Sequence, residues 1–163
     1  MIYEIEGDIL LSDSQIIAHG VAQNDGFSSG LALSLREQWP AMFKDFRHYC
    51  QSERPEAGGL WVWGSADGKK IINLLTQEGG YDHGSKPGKA TLSYVSHALR
   101  ALKTEIESEH FTSVALPRLA TGVGGLEWKD VSPLVEKHLG ELKIPIYVYT
   151  TFRKGLKGQE IHS

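Results

Sequence analysis

The feature that most constrains the fold is the alternation of short apolar runs with longer segments of helical period. The apolar runs have the length of buried strands, and they lie at residues 2–6, 15–19, 60–64, 70–76, 113–116 and 145–150. Strands that are apolar throughout are typical of a sheet covered on both faces. The clearest helix is expected at residues 91–107, with an apolar stripe at Leu92, Val95, Leu99, Leu102 and Ile106. This order of elements predicts a three-layer α/β/α sandwich around a central mixed or mainly parallel sheet.

Proline residues help to place the remaining helices. Residues 30–39 put Leu31, Leu35 and Trp39 on one side of a helix, and Pro40 then interrupts the pattern and opens a second helix. A last helix is expected from about residue 131 to 142, with Pro133 in its first turn, where proline is tolerated.

Composition and charge exclude several classes of function. The chain has 163 residues, enough for one well-filled core, and its formal net charge of −3 gives no global attraction to nucleic acid. The single cysteine, Cys50, excludes an internal disulfide and a multi-thiolate metal site. There is no apolar stretch of membrane-spanning length and no signal-peptide pattern. We expect a cytoplasmic monomer with one domain over residues 1–152 and a mobile polar tail over residues 153–163.

Three loops leave strand ends, where open α/β sheets bind their ligands. The first loop runs from His19 to Gly30 and enters a helix, so its N–H groups and the helix N-terminus could hold an anion. A plain connection, with Ser28 or Ser29 as the helix N-cap, explains the same residues equally well.

The second loop, residues 117–126, has three glycines within four residues, Gly122, Gly124 and Gly125. Glycine permits positive φ angles and close approach of a ligand to the backbone, as in phosphate-binding nests. The standard nucleotide-binding motifs are absent from the sequence. This loop favours a functional interpretation over that of a flexible turn.

The third loop, residues 77–89, is rich in charge. Its ionisable residues are Glu78, Asp82, His83, Lys86 and Lys89. A solvated surface loop is the commoner explanation of such a mixture. Asp8, just after the first strand, is by itself more simply a turn residue than a ligand contact, and Tyr149 is more simply a core residue. Histidine and cysteine do not cluster, so we expect no metal and no cofactor.

Taken together, these residues resemble the macrodomain family, in particular the branch with the terminal ADP-ribose protein glycohydrolase and the DNA ADP-ribosyl glycohydrolase antitoxins. The similarity covers roughly residues 2–150. Its motifs are Gly7-Asp8-Ile9, Ala18-His19-Gly20-Val21, Gly30-Leu31-Ala32, Ile72-Asn73-Leu74-Leu75-Thr76-Gln77, and Leu116-Pro117-Arg118 followed by residues 122–128. Their order and spacing are more specific than any one of them.

The resemblance implies that the chain binds ADP-ribose. Asp8 would accept a hydrogen bond from the adenine amino group with Ile9 beside it, and Tyr149 would wall the adenine pocket. The diphosphate would lie on backbone N–H groups of the second loop, at Ala120, Thr121, Gly122, Val123, Gly124 and Gly125. The distal ribose would be enclosed by the first loop, with the ligand-binding residues Ala22, Gln23, Asn24, Ser28, Ser29 and Gly30. Gln77 is counted among the ligand-binding residues.

Two positions depart from the glycohydrolases of this branch. Their lysine at the end of the fourth strand and their aspartate in the second glycine loop correspond to Gln77 and Gly125. Neither residue can act as a nucleophilic amine or a general acid or base. The covalent lysine mechanism is therefore lost, unless Lys86 or Lys89 reaches the site. The first loop also carries Ala22 where many relatives have asparagine.

The third loop, together with His19, instead resembles the small ADP-ribose 1″-phosphate phosphatases of the same branch. The candidate catalytic residues are then His19, Asp25 and His83, since a histidine that titrates near neutrality needs no large pKa shift. For His19 the alternative is a hydrogen-bonded histidine at a buried strand end. We expect a hydrolase of the 1″-phosphate monoester or of an ADP-ribosyl bond to protein or nucleic acid. A non-catalytic ADP-ribose-binding module is the rival interpretation.

Overall fold

A six-stranded sheet between two pairs of helices forms the fold. The computed structural model describes residues 1–81 and 87–160. The strands are β1 (Ile2–Gly7), β2 (Ile16–Ala22), β3 (Leu60–Gly64), β4 (Lys70–Gln77), β5 (Val114–Pro117) and β6 (Ile146–Phe152). The helices are α1 (Gly30–Gln38), α2 (Pro40–Glu53), α3 (Leu92–Glu109) and α4 (Trp128–Leu139), and a 3-10 turn spans Ile9–Leu11.

The sheet has the order β1-β6-β5-β2-β4-β3, and the prediction of a mixed α/β/α sandwich is confirmed. Every pair of neighbours is parallel except β3 and β4, which are antiparallel. The carboxyl ends of the five parallel strands therefore meet at one edge of the sheet. The three glycine-containing loops all leave from that edge.

Two separate cores explain why the strands are apolar throughout. On β2, Ile16 and Ala18 pack toward α3 and α4, whereas Ile17 and Val21 pack toward α1 and α2. Successive side chains of a strand point to opposite faces, so a sheet covered on both faces needs apolar residues at every position.

Three helix predictions need correction. Leu92, expected in the apolar stripe of α3, is 41% exposed because it is the first residue of the helix, after the N-cap Thr91. Pro133 lies inside α4 rather than in its first turn, since the helix begins at Trp128. Trp39 belongs to neither helix and joins α1 to α2. Among the described residues, no helix has the length and apolar character needed to cross a membrane.

Residues 153–160, which we call the strap, pack beside β1 and β6. The Asp8 amide donates to the Leu156 carbonyl at 2.7 Å, and the Arg153 amide donates to the Gly7 carbonyl at 3.1 Å. Gly158 is buried. Composition predicted a mobile tail here, but the described part is held by these contacts with a segment some 150 positions earlier in the chain.

Candidate functional site

Two adjoining cavities open at the carboxyl edge of the sheet. The first, the polar cavity, has a volume of about 220 Å³, and the second, the apolar cavity, about 400 Å³. Gly30, Leu31 and Pro117 line both, so the two cavities form one bipartite cleft. The polar cavity brings together many of the predicted site residues, namely His19, Asp25, Ser28, Ser29, Gly30, Gln77, Ala120, Gly122, Val123 and Gly124.

The apolar cavity lies at the end of β1 and β6. Ile9, Tyr149 and the 63% exposed Phe152 line it. Asp8 is buried between two lining residues, and its Oδ1 accepts from the Leu10 amide at 3.1 Å and its Oδ2 from the Gly155 amide at 3.0 Å. A carboxylate oxygen has two lone pairs, so each oxygen of Asp8 can accept one more donor.

The second glycine loop presents unpaired amides to the polar cavity. Ala120 has a φ of 62°, and this positive value in a residue with a Cβ turns the chain sharply after β5. The loop is closed by hydrogen bonds from Gly125 N to Gly122 O and from Leu126 N to Ala120 O. Within the described part of the chain, the N–H groups of residues 121–124 donate to no protein acceptor. Successive unpaired N–H groups in such a turn form an anion-binding nest.

The N-terminus of α1 supplies a second group of amides. Ser29 is its N-cap residue, as the sequence allowed, but the Ser29 side chain makes no capping hydrogen bond. The first-turn N–H groups of the helix therefore stay available to a ligand. Gly30, Leu31 and Ala32 line the polar cavity, so the positive end of the helix dipole faces the same space as the glycine loop.

His19 borders the polar cavity but is only 2% exposed. Its ring packs edge-on against Phe27, with ring centroids 5.6 Å apart, and its Nε2 lies 2.7 Å from Asn73 Oδ1. Burial lowers the pKa of His19 to about 4, and the hydrogen bond to Asn73 and the charge of Asp25 oppose this only in part. The expectation that His19 titrates near neutrality is therefore wrong, because desolvation disfavours the imidazolium.

The surrounding hydrogen bonds assign the tautomer of His19. The amide nitrogen of Asn73 lies 3.5 Å from the Trp61 carbonyl, so it acts as the donor and leaves Asn73 Oδ1 as an acceptor. His19 Nε2 must then carry the proton and donate it to Asn73. At neutral pH the other ring nitrogen, Nδ1, is unprotonated, and no donor among residues 1–81 and 87–160 occupies its lone pair.

Asp25 serves the first loop rather than acting as a free carboxylate. Its Oδ1 accepts from the Phe27 amide at 2.8 Å and its Oδ2 from the Ala22 amide at 3.1 Å. These bonds hold Phe27 at its positive φ of 50°. Asp25 thus shapes the wall of the polar cavity through the backbone.

Gln77 and Lys89 show how the site differs from a lysine-dependent one. Gln77 is buried, and its amide donates to the Gly88 carbonyl at 2.9 Å, which ties β4 to the third loop. Lys89 is exposed, with its Cδ 3.9 Å from where a Cβ on Gly125 would lie. His83 and Lys86 lie outside the described residues.

Several predicted ligand contacts line neither cavity. Gln23 accepts from the Gly79 amide at 2.7 Å, and Asn24 accepts from Gln51 at 3.0 Å, so both fasten the first loop to its neighbours. Asp8, Ala22, Thr121 and Gly125 also stand outside the cavity linings. Their roles as ligand contacts stay predictions.

Sequence reasoning missed other lining residues. Pro117 separates the two cavities, Phe152 forms an exposed wall, and Arg118 borders the polar cavity with its Nε donating to the Thr150 carbonyl at 2.6 Å. The signal for Arg118 was its position directly after a strand, in the motif already singled out. Nothing local marks Phe152, whose role depends on the neighbouring strand β1 and the turn after it.

An arginine pair, Arg36 and Arg47, stands beside Gly26 of the first loop. The Arg36 guanidinium lies 4.1 Å from the Phe43 ring centroid and donates to the Gly26 carbonyl at 2.9 Å. The Arg47 guanidinium lies 5.9 Å from the same centroid. Neither has a carboxylate within 4.0 Å among the described residues. The two guanidinium groups therefore place positive charge beside the first loop of a protein with net negative charge. Among the same residues, no cluster of histidine, cysteine or acidic side chains could hold a metal ion.

Comparison with known proteins agrees with this geometry. The chain is 33% identical over 128 residues to a DNA ADP-ribosyl glycohydrolase of Mycobacterium tuberculosis, covering 77% of this chain and 35% of the relative. It is 26% identical over 162 residues to a DNA ADP-ribosyl transferase–glycohydrolase fusion protein of Thermosipho africanus, covering 92% of this chain and 42% of the relative. The chain thus spans less than half the length of these relatives.

Comparison of the fold and comparison with a family model both indicate similarity to macrodomains. The macrodomain of Thermus aquaticus DarG superposes with a TM-score of 0.80 at 23% identity, covering 92% of this chain and 98% of that one, which shows a shared fold. The family model described as Macro domain matches residues 24–135, more than half of the chain. The chain therefore belongs to the macrodomain family.

Proposed function

We propose that this macrodomain binds ADP-ribose and hydrolyses the bond between its distal ribose and a macromolecule. One observation carries the proposal: an apolar cavity, with the buried Asp8 carboxylate between its lining residues Gly7 and Ile9, adjoins a polar cavity bordered by two groups of amides that donate to no acceptor among the described residues. An adenine base, a diphosphate and a second ribose in series need these environments in this order. A mildly acidic protein can hold the dianion in this way, because the donors are backbone groups.

The base end is supported by the shape and chemistry of the apolar cavity. Phe152 and Tyr149 offer aromatic faces, and Ile9 offers an apolar floor. The Asp8 carboxylate has acceptor capacity left for an exocyclic amine. The diphosphate would then lie between the N-terminus of α1 and residues 121–124, where helix dipole and nest both favour negative charge.

Hydrolysis at the distal ribose would use water rather than a side chain as the nucleophile: water forms the new bond to C1″, the carrier leaves with the electron pair of the broken bond, and a proton of the water ends on the carrier. His19 is unprotonated at neutral pH and can accept a hydrogen bond from a ribose hydroxyl or from water through Nδ1. Its low basicity makes it a weak general base. The oriented amides around the polar cavity would hold the diphosphate and would stabilise negative charge that develops on the departing carrier.

The two arginines beside the first loop favour an anionic macromolecule as the carrier of the ADP-ribosyl group. The relatives from Thermosipho africanus and Mycobacterium tuberculosis both have DNA ADP-ribosyl glycohydrolase in their names. The unpaired Arg36 and Arg47 beside the first loop would accommodate phosphates of a DNA strand. The 1″-phosphate monoester is the second candidate substrate. That the protein is a monomer and cytoplasmic also stays a proposal.

Calorimetry and turnover assays test the two parts separately. The full chain is titrated with ADP-ribose, and an absence of binding at millimolar ligand would overturn the proposal as a whole. It is then incubated with ADP-ribosylated DNA, ADP-ribosylated protein and ADP-ribose 1″-phosphate. We expect release from DNA, reduced in His19→Gln and unchanged in the matched control His48→Gln, which changes an exposed histidine on α2. Binding without turnover of any substrate would leave a non-catalytic binding module.

A further inference from the structure

The strap meets the adenine end of the cleft through backbone contacts. It runs beside the segment that leaves β1, where Asp8 N donates to Leu156 O and Arg153 N donates to Gly7 O. Two ion pairs accompany these bonds: Lys157 Nζ lies 2.7 Å from Asp13, and Arg153 Nε lies 3.3 Å from Glu6. Both pairs are exposed, so they contribute little to the attachment.

The approach is close enough to require glycine on both sides. A Cβ on Gly158 would lie 2.8 Å from Tyr149 Oη and 2.9 Å from Tyr149 Cε2. A Cβ on Gly7 would lie 2.8 Å from the Gly158 amide nitrogen. The strap is therefore seated directly on β1 and on a wall of the apolar cavity.

Glu160 fastens the far end of the strap. Its Oε1 accepts from the Ser14 hydroxyl at 3.0 Å, and its Oε2 accepts from the Ser12 hydroxyl at 2.7 Å. The Tyr149 hydroxyl also donates to Oε2. Burial, together with this carboxylate, raises the pKa of the Tyr149 hydroxyl, which keeps it protonated as a donor. One half-buried carboxylate thus joins the turn after Asp8 to the tyrosine of the cavity wall.

Asp8 is held between the 3-10 turn and the strap, which Glu160 also connects through its bond to Ser12. The 3-10 turn supplies Leu10 N to one carboxylate oxygen, and the strap supplies Gly155 N to the other. Two amides on different oxygens fix the rotation of the carboxylate plane. The remaining lone pairs of Asp8 then have a defined direction.

We propose that the strap is a specificity element for the base of the ligand, with Gly155 and Glu160 as positioning residues. It orients the carboxylate that accepts from an exocyclic amine, and it braces the aromatic wall beside that carboxylate. This inference rests on the proposed function, since it assigns the amine to adenine. A strap that is displaced would leave the cleft open but would lose the distinction between an amino-purine and an oxo-purine.

The test compares ADP-ribose with its hypoxanthine analogue, in which a carbonyl replaces the amine. Affinities of the full chain for both ligands are measured by calorimetry, and the ratio of the two dissociation constants is the readout. Glu160→Gln removes the carboxylate, and Gly158→Ala lifts the strap by steric contact. Matched controls are Glu107→Gln on the exposed face of α3 and Gly64→Ala, where the nearest atom would be an ordinary 3.5 Å away.

We expect the wild type to prefer ADP-ribose, and both strap variants to lose about fivefold of that preference, with both controls unchanged. A loss of affinity for both ligands by the same factor would mean that the strap only stabilises the fold, and would overturn the inference. An unchanged ratio in both strap variants would do the same. Failure of the wild type to bind either ligand would instead contradict the proposed function.

Discussion

Acidification should destabilise the protein through one buried side chain. His19 lies neutral between β2 and α1/α2, with a pKa lowered to about 4 by burial. In the unfolded chain the same imidazole titrates near its ordinary value of 6.5. Between these values the unfolded state binds a proton that the folded state excludes. The contribution of His19 is therefore complete above about pH 6.5 and is lost as the pH falls toward 4.

The size of the effect follows from the two pKa values of His19. Each pKa unit corresponds to about 1.4 kcal/mol, so a fall from about pH 7 to about pH 4.5 should remove roughly 2 kcal/mol of unfolding free energy. Carboxylates that titrate at the low end of this range add their own slope. A variant that lacks the histidine separates the two contributions.

Urea unfolding at a series of pH values is the appropriate measurement. Wild type and His19→Gln are compared at each pH, since glutamine is polar, cannot titrate and can still hydrogen-bond Asn73. The free energy of unfolding of the wild type should fall toward that of the variant by roughly 2 kcal/mol over this range. Parallel pH curves for the two proteins would refute the argument, because they would show that His19 binds protons equally in both states.

Three further predictions concern the ligand. In Gly124→Ala the new Cβ would lie 2.7 Å from the Ala120 carbonyl oxygen, so the anion-binding loop must distort, and calorimetry should show ADP-ribose affinity reduced by about tenfold. Asp8→Ala should weaken ADP-ribose binding by about 1–3 kcal/mol in the same assay, because it removes a buried acceptor. The double change Arg36→Gln and Arg47→Gln should slow release of ADP-ribose from DNA and reduce its salt dependence, while binding of free ADP-ribose stays unchanged.

The glycine and arginine predictions each have a reference variant, and the aspartate prediction has a contradicting outcome. Gly64→Ala, at an exposed strand end, should leave affinity for ADP-ribose as it is, and equal losses in both glycine variants would contradict the loop argument. Unchanged affinity of Asp8→Ala for ADP-ribose would show that Asp8 does not contact the ligand. Lys129→Gln is the reference for the arginines, because it deletes a cation of α4 that is paired with Glu127. If it slowed release of ADP-ribose from DNA as much as the double change does, net charge alone would explain the effect.

The sheet and the positions of its loops could be predicted because the signals for them are local. An apolar run such as residues 70–76 identifies its own strand, and parallel strands bring their following loops to one edge. The chemistry of individual side chains could not be predicted in this way. The pKa of His19 depends on Asn73, which lies 54 positions away, and on burial by Phe27, whose backbone is held by Asp25.

The position of the strap is the clearest case of a feature that could not be predicted from local sequence. Its polar, glycine-containing sequence is that of a mobile segment, and no apolar periodicity indicates attachment. Its contacts are made by backbone groups and by Glu160, whose serine partners lie 146 and 148 residues away in sequence. Only the assembled β1–β6 edge provides these partners.

The hydrogen bond between His19 and Asn73 also bears on how the sheet assembles. The two residues are direct partners in the register of β2 and β4, and both face the same core. A slip of one position would turn one of them to the opposite face and leave two buried polar groups without partners, which carries a substantial free-energy penalty. The other residues of these strands are largely aliphatic and could pack in more than one register. The His19–Asn73 pair therefore specifies which register β2 and β4 adopt. The relative positions of the β2 and β4 ends, which border the cleft, are thereby fixed in the protein without a ligand.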